Sequence, residues 1–404
     1  MEKSSKILYH LVFFTTLSII VFSLFAIIFP SFLMTTFYPY TTNLQPFESS
    51  VWLVPIVSSN SILLVIGFAY YRKKLPLQIY KGIEFILNFE ISKKTALLTG
   101  IIILVVYIGF SLPELFVDEA EEWDDYHAVL LPALEIWPST DSDFIHVNEQ
   151  NTRYVKMLLL DTSLDIFQNI KLLPFVASIL LVVVTFFLTY QITQKRFAGI
   201  ISMVILLQSH TFLHFDTIAV YENFWVLFYV VSLYAINRKW QYSSISYLLS
   251  IFSKAFIAVF FLSSLYYICR ASISTRKKLY TLASYAASLI VILLVFSFGE
   301  SIYFDIINIS SSEFFLAFNA LGYTLRYDLI IVLSLLPLTL GLFFKFRKEN
   351  SKKVDSILVL ILTALLAGPV ISMLTDFYFI LPYRFLPLIV FVAVGIGVLL
   401  SKKN

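Results

Sequence analysis

Charge is scarce in this sequence, and cysteine is nearly absent. Asp, Glu, Lys and Arg make up only 14% of the 404 residues, whereas they make up about a quarter of an average soluble protein. Hydrophobic residues account for 59% of the chain, and its mean hydropathy is +0.85. This composition excludes an ordinary soluble globular protein. The single cysteine, Cys269, excludes an intrachain disulfide.

The sequence also lacks the common motifs of nucleotide-binding and zinc-hydrolase sites. It contains no Walker A sequence, no Gly-rich dinucleotide-binding loop and no H-E-x-x-H. Nucleotides are therefore not expected as substrates, and nucleic acid is not expected as a partner. Internal repeats are absent as well, which argues against a transporter built from two matching halves.

Long apolar runs recur along the whole chain. A run of about 18 or more apolar residues can cross a hydrocarbon core of ~30 Å, so we expect an all-α polytopic membrane protein. The region 243–269 is either one span or a hairpin of two short helices. Other spans are predicted near residues 7–29, 51–71, 96–115, 172–192, 197–214, 219–236, 281–299, 327–344, 356–374 and 385–400.

The basic residues orient these spans. Most of the 29 Lys and Arg residues lie in short segments between apolar runs, such as 72–94, 270–278 and 345–353. The positive-inside rule assigns such segments to the cytoplasm. They fall on one side of the membrane only if 243–269 is a hairpin. This interpretation predicts twelve membrane helices in the cell membrane, with both termini in the cytoplasm.

Two parts of the chain are distinguished by this topology. Residues 1–95 are predicted to form two membrane helices and a cytoplasmic interfacial helix. Residues 96–404 are predicted to form the main transmembrane domain. Its loop 116–170 is extracytoplasmic and is expected to carry helices that lie on the membrane surface.

An acidic segment, ELFVDEAEEWDDYHA, begins where one apolar run ends. Seven acids lie between Glu114 and Asp125, and most are interpreted as solvated charge. Asp118 and Glu119 differ because they directly follow the span, at the depth of a lipid headgroup. Carboxylates placed there can act as a general base or hold a divalent cation.

Whether a metal is needed stays open at the level of sequence. The D-x-D of Asp141 to Asp143 is a weak signal in an acidic loop. His210 and His214 are four residues apart and would share a helix face. They are either half of a metal site or two histidines at the membrane interface, and no third ligand accompanies them.

Three isolated basic residues fall within or beside predicted spans. A lysine inside a span costs roughly 2.5–3.5 kcal/mol and so needs a cavity or a partner. Lys254, in the segment SKA, suits a lipid phosphate; the alternative is an ion pair with Glu222 or Asp216. Arg384, at the start of the last span, has a planar fork that matches phosphate; the alternative is a snorkelling arginine. Arg326 has the same two interpretations, and snorkelling is favoured there.

The order of these features resembles the GT-C superfamily of glycosyltransferases, close to the protein O-mannosyltransferase and aminoarabinose transferase branch. An acidic pair follows a span and precedes a long outer loop with surface helices. The run NIKLLPFVASILLVVV, a lysine in SKA and the segment PYRFLPLIVFVAVGIG come next, in that order. The resemblance covers about residues 96–400.

The resemblance implies roles for particular residues. Asp118 and Glu119 would supply the catalytic carboxylate, and Lys254 and Arg384 would face the donor phosphate. The match departs from the family pattern at Tyr126, which follows a later acidic pair rather than the first. Further candidates by position are Asp124, Asp125, Tyr126, Glu222 and Tyr383.

The function implied by the resemblance is sugar transfer on the extracytoplasmic side of the membrane. The donor would be a sugar linked to a polyprenyl phosphate, such as dolichyl phosphate, and the acceptor a protein, lipid or glycan. No cofactor is certain, and a divalent cation is compatible with the acids. The alternatives are a lipid or anion transporter or flippase, and a GT-C-like membrane scaffold without catalysis.

Overall fold

The computed structural model describes residues 3–37, 45–119, 123–137, 153–298, 309–349, 352–375 and 381–402. Within these ranges the chain forms helices and no β-strand. The α-helices are α1 Lys3–Ile28, α2 Pro30–Phe37, α3 Leu53–Tyr71, α4 Leu77–Asn88, α5 Lys93–Ser111, α6 Leu131–Ile136, α7 Tyr154–Phe167, α8 Leu172–Thr193, α9 Arg196–Leu207, α10 His210–His214, α11 Phe224–Arg238, α12 Ser243–Ser253, α13 Phe261–Arg270, α14 Thr275–Phe298, α15 Ser311–Leu325, α16 Leu329–Glu349, α17 Lys352–Thr375 and α18 Leu386–Leu399.

Eight helices in the described ranges are long and apolar enough to span a membrane. The all-α membrane class is therefore confirmed at this coarse level, while the count of twelve stays a prediction. Three shorter apolar helices accompany them. The eight are Ile7–Ile28, Leu53–Tyr71, Lys93–Phe116, Leu172–Thr193, Thr275–Leu294, Leu329–Arg347, Lys353–Leu374 and Pro382–Leu399, and the three are Arg196–Leu207, Phe224–Arg238 and Ala255–Arg270.

Two predicted spans are wrong in their bounds. The helix predicted over 197–214 is interrupted after Leu207 and resumes only as the short helix α10. The helix predicted from residue 219 begins at Phe224 instead. Residues 215–223 form a buried loop instead of a helix. Polar side chains of the loop and of other segments bond its backbone N–H and C=O groups, which a helix would pair with each other.

The chain divides into two compact units. The first comprises Met1–Ala96, Thr189–Thr211 and Ile306–Asn404, and the second comprises Leu97–Leu188 and Phe212–Asp305. The predicted division into 1–95 and 96–404 stays a prediction.

The core of the first unit is α18. This helix is buried along nearly its whole length, and it packs against α9, α16 and α17. Gly397 permits the approach to α9, since a Cβ atom there would lie only 2.7 Å from the Ala198 carbonyl oxygen. Small residues allow helix backbones to approach in this way within a membrane.

The second unit is organised around α11 and α12. Three serines on one face of α12 donate hydrogen bonds to backbone carbonyls of α11 at 2.5–2.9 Å. These serines are Ser243, Ser246 and Ser250. Their small side chains bring the two helices together, and their hydroxyls find partners without water. One helix of the predicted surface loop, α7, also packs on α12 and buries Met157 and Leu160.

The region 243–269 reverses direction inside the second unit. The Ser272 amide, after this region, donates to the Asn237 side chain, before it, at 3.1 Å. The rings of Trp240 and Tyr280 stack with centroids 5.8 Å apart. Both ends of the region therefore lie side by side, as the hairpin interpretation requires.

Candidate functional site

The candidate site of the second unit is built on the buried loop 215–223. A buried loop needs partners for its backbone groups, because each unpaired group costs free energy comparable to a lost hydrogen bond. Much of that bonding comes from charged side chains elsewhere in the unit. The acidic segment after α5 supplies one set, and α7 supplies a lysine.

Glu119 is fixed to this loop through both carboxylate oxygens. The amides of Ala219 and Val220 donate to them at 3.0 and 2.7 Å, and the side chain is 3% exposed. Burial raises the pKa of Glu119, although the two amides and the nearby Lys171 and Lys156 oppose that rise. Glu119 thus orders the loop, and its lone pairs are engaged with backbone.

Asp118 is the exposed member of the acidic pair. Its neighbour Glu119 is anchored, and the preceding turn is held by Lys171, whose ammonium donates to the carbonyls of Glu114 and Val117 at 2.8 and 3.2 Å. Asp118 therefore extends from a segment that is fixed on both sides. Its carboxylate is therefore exposed at the surface of an anchored segment.

Asp125 and Tyr126, in the later part of the acidic segment, also lie close to the loop or to the first acidic pair. The Tyr221 hydroxyl donates to Asp125 at 2.6 Å, so Asp125 bonds the same loop that Glu119 holds. Burial raises the pKa of Tyr126, and the charges of Glu119 and Asp118 add to that rise. Tyr126 therefore lies near the first acidic pair, despite its displaced position in the sequence. Asp124 is exposed.

Two buried residues, Lys156 and Glu222, stabilise the C-terminal end of the loop. The Lys156 ammonium donates to the Val220 carbonyl at 2.6 Å and lies 4.0 Å from the Glu222 carboxylate. Glu222 also accepts from the Phe224 amide at 2.9 Å, at the start of α11. Burial raises the pKa of Glu222, and the charges of Lys156 and then Lys254 oppose it.

Lys254 stands where α12 ends and a short 3₁₀ helix begins. Its backbone is extended there, so the helix is broken at the lysine. The ammonium lies 5.4 Å from the centroid of the Trp225 ring, and its charge reaches Glu222. The Trp225 indole N–H is buried and has no hydrogen-bond partner in the described part of the chain.

Glu119 thus bonds the loop at Ala219 and Val220, Glu222 lies at the end of the loop, and the charge of Lys254 reaches Glu222. The loop carries Ala219 and Val220 for Glu119, and it leads directly into Trp225 beside Lys254. The alternative pairing of Lys254 with Glu222 has support in their electrostatic coupling. The Glu222 carboxylate also lies 4.0 Å from the Lys156 ammonium.

Arg384 and Tyr383 belong to the first unit. They lie in a 3₁₀ turn, Pro382–Phe385, directly before α18. The Arg384 Nε donates to the Tyr383 hydroxyl at 3.3 Å, and Tyr383 is buried. The predicted meeting of Arg384 with Lys254 and the acidic pair stays a prediction.

Sequence reasoning did not assign roles to Lys156 and Lys171. Lys156 lies in the predicted outer loop and Lys171 directly after it; both are buried, and each bonds a backbone carbonyl near the acids. A lysine embedded in the apolar run YVKMLLL was the available signal for Lys156.

Metal ligation has no support among the described residues. No group of three or more His, Cys, Asp and Glu side chains lies close enough there to hold an ion. Asp141 and Asp143 fall outside the described residues. His210 stacks towards Tyr327 with centroids 6.5 Å apart, and His214 packs on Phe215.

Comparisons of this chain with models of protein families, with curated proteins and with solved structures find no match.

Asp216 makes the stability of the protein depend on pH. Burial raises the pKa of Asp216 to about 7, with a further rise from Glu114, while Ser111 and Tyr107 oppose it. The folded state then binds more protons than the unfolded state between about pH 4 and 7. Stability should fall by roughly 1 kcal/mol per pH unit over that window as pH rises.

The variant Asp216→Asn should remove this dependence. The amide can still accept from Ser111, which donates to Asp216 at 2.7 Å in the parent protein. We expect a flatter plot of apparent Tm against pH from 5 to 8, and higher stability than the parent at pH 8. Asp165→Asn, at an exposed position of the same unit, should leave the slope unchanged. An unaltered slope in Asp216→Asn would contradict the assignment.

Proposed function

We propose that this protein is a membrane glycosyltransferase. It moves a sugar from a polyprenyl-phosphate-linked donor to a protein, lipid or glycan acceptor. The proposed topology has twelve membrane helices, cytoplasmic termini and an extracytoplasmic active site. The lipid tail of the donor stays in the bilayer, which suits a protein whose described residues form eight apolar helices of spanning length.

The observation that carries the proposal is the pairing of Lys254 with Trp225. The Lys254 ammonium lies 5.4 Å from the centroid of the Trp225 ring, and the buried indole N–H of Trp225 has no hydrogen-bond partner among the described residues. Leaving a buried N–H unbonded costs about 1–3 kcal/mol. A phosphate oxygen would accept from both donors and would be stabilised by the lysine charge.

Asp118 and Glu119 have different roles in the proposed reaction. Asp118 accepts the proton of the acceptor hydroxyl as its oxygen bonds to the sugar carbon. The bond from that carbon to the phosphate oxygen breaks, and the polyprenyl phosphate leaves with the electron pair. Lys254 stabilises the charge that develops on the leaving phosphate. Glu119 is a positioning residue, because its oxygens already bond the loop.

Arg384 is proposed as a further ligand of the donor phosphate. Its fork of donors is suited to a second phosphate oxygen, and Tyr383 orients it through the hydrogen bond at 3.3 Å. A divalent cation held by the acidic segment is the competing way to neutralise the phosphate. Loss of activity in a chelator would favour the cation.

Lys254→Ala should weaken donor binding roughly tenfold or more, since it removes a charge-assisted contact. Native mass spectrometry of the purified protein provides the test. The parent should retain a polyprenyl-phosphate species, whose mass gives the carrier length and any attached sugar. Trp225→Phe, which keeps the ring and removes the N–H, should weaken retention to a smaller degree.

Lys277→Ala is the matched control, because Lys277 is an exposed lysine of the same unit. It should retain the lipid as the parent does. If the parent retains no such lipid while other lipids stay bound, the glycosyltransferase proposal fails. Transport or a scaffold role would then be the better account.

A further inference from the structure

The first unit contains a cavity that the proposed reaction does not use. Its volume is about 470 Å³, within the ~300–1,000 Å³ typical of ligand pockets. The end of α1, the following helix α2 and one side of α15 enclose it. The apolar part of the lining includes Ala26, Ile27, Pro30, Met34, Leu316 and Ala320.

The walls of this cavity are held closely together. At Gly322 on α15, a Cβ atom would lie 3.2–3.3 Å from Ile27 and the Ala26 backbone. Ser50 ties the chain after α2 back to the end of α1, because its hydroxyl donates to the Ile27 carbonyl at 2.8 Å. The cavity is therefore a feature of packed helices rather than a gap beside a loose segment.

Four polar side chains interrupt the apolar lining: Ser50, Asn319, Tyr323 and Arg326. Asn319 contributes a buried amide, and neither its oxygen nor its nitrogen has a hydrogen-bond partner in the described part of the chain. Arg326 is the charged side chain of this lining, and it forms no ion pair with a carboxylate among the described residues. An unpaired buried amide costs about 1–3 kcal/mol per group, so a ligand that bonds it gains that amount.

Arg326 sits within an aromatic cluster. Its guanidinium carbon lies 3.5 Å from the ring centroid of Tyr323 and 5.5 Å from that of Tyr327. Both tyrosines are about half exposed. Exposed tyrosine beside arginine is the pattern of a membrane–water interface, where headgroups lie. The cavity thus joins an apolar interior to a cationic, headgroup-like rim.

We infer that this cavity binds an anionic phospholipid, with one acyl chain among the apolar residues and the phosphate at Arg326. The Asn319 amide bonds an ester or glycerol oxygen between the two. The apolar lining selects a lipid over a free phosphate ion. The uncompensated charge of Arg326 selects an anionic headgroup over a zwitterionic one. The inference does not rest on the proposed sugar transfer.

The test titrates the delipidated full-length protein with dioleoyl phosphatidylglycerol and counts bound lipid by native mass spectrometry. Arg326→Gln should weaken retention of one lipid roughly tenfold, the effect of losing one charge-assisted contact. Arg347→Gln is the matched control, since Arg347 is an exposed arginine of the same unit. Equal retention in the parent and Arg326→Gln would overturn the inference.

Two further arms identify the ligand class. Phosphatidylcholine should bind more weakly than phosphatidylglycerol in the parent, and the two should bind alike in Arg326→Gln. Inorganic phosphate alone should not raise the apparent Tm. Equal affinity for both lipids in the parent, or stabilisation by inorganic phosphate without lipid, would overturn the inference.

Asn319→Leu separates binding from folding. It removes the unpaired amide, so the delipidated variant should have a higher apparent Tm than the parent. The same variant should bind phosphatidylglycerol more weakly, because the oxygen contact is lost. A variant that is both more stable and equally good at binding the lipid would contradict the placement of Asn319 at the ligand.

Discussion

Replacing Glu119 with alanine is expected to lower the free energy of unfolding by about 3 kcal/mol. The substitution leaves the amides of Ala219 and Val220 without their carboxylate, inside a loop that is buried throughout. It also deprives Lys156 and Lys171 of a nearby negative charge. Unfolding titrated with SDS and followed by near-ultraviolet circular dichroism would measure the loss.

Glu119→Gln should cost less than Glu119→Ala. The amide oxygen can still accept one backbone hydrogen bond, whereas the amide nitrogen faces the second backbone donor. Glu135→Ala is the matched control at an exposed glutamate of the same unit, and it should stay within about 0.5 kcal/mol of the parent. If Glu119→Ala is as stable as Glu135→Ala, the loop does not depend on this carboxylate.

Asp118→Asn is expected to reduce sugar transfer by about 10²–10⁴-fold, the usual contribution of a general base. Its stability should match the parent, because Asp118 is exposed and surface changes usually cost less than about 0.5 kcal/mol. A transfer assay with a polyprenyl-phosphate sugar, run beside thermal unfolding, measures both quantities.

The contrast between the two acids makes this prediction specific. Asp165→Asn alters another exposed aspartate of the same unit and should keep full activity. Donor retention by Asp118→Asn should equal that of the parent, since the proton acceptor does not hold the phosphate. Full transfer activity in Asp118→Asn would remove Asp118 from the mechanism, and a large loss of stability would make its role structural.

The long helices were predictable because a continuous apolar run sets its own length. The span predicted over 172–192 is the helix Leu172–Thr193 in the structure. Composition and run length decide such helices locally, because no backbone polar group can stay unpaired in the hydrocarbon core. The hairpin over 243–269 was predicted from the distribution of basic residues, and in the structure the helix is interrupted at Lys254.

The loop 215–223 could not be predicted in the same way. The sequence from 219 reads as the start of a span, and the helix begins only at Phe224. What holds the loop are partners distant in sequence: Glu119 lies about 100 residues from its amides, and Lys156 lies 64 residues from its carbonyl. Tertiary contacts of this kind override local propensity.

The different positions of Asp118 and Glu119 could not be predicted from the sequence either. Adjacent acids have the same pattern in a sequence, and the resemblance assigned both to catalysis. Only the fold separates them, because Glu119 is buried against two amides while Asp118 is exposed. Lys171 bonds the carbonyls of Glu114 and Val117 and so fixes the turn that precedes the pair.

Cleavage of the donor is the most direct test of the central claim. The purified protein would be incubated with a polyprenyl phosphate that carries a radiolabelled sugar, in the presence of a membrane extract as the source of acceptors. The account predicts release of free polyprenyl phosphate and movement of label to an acceptor, with both lost in Asp118→Asn. Donor that stays bound at Lys254 and is recovered intact, at every divalent-cation concentration tried, would contradict it.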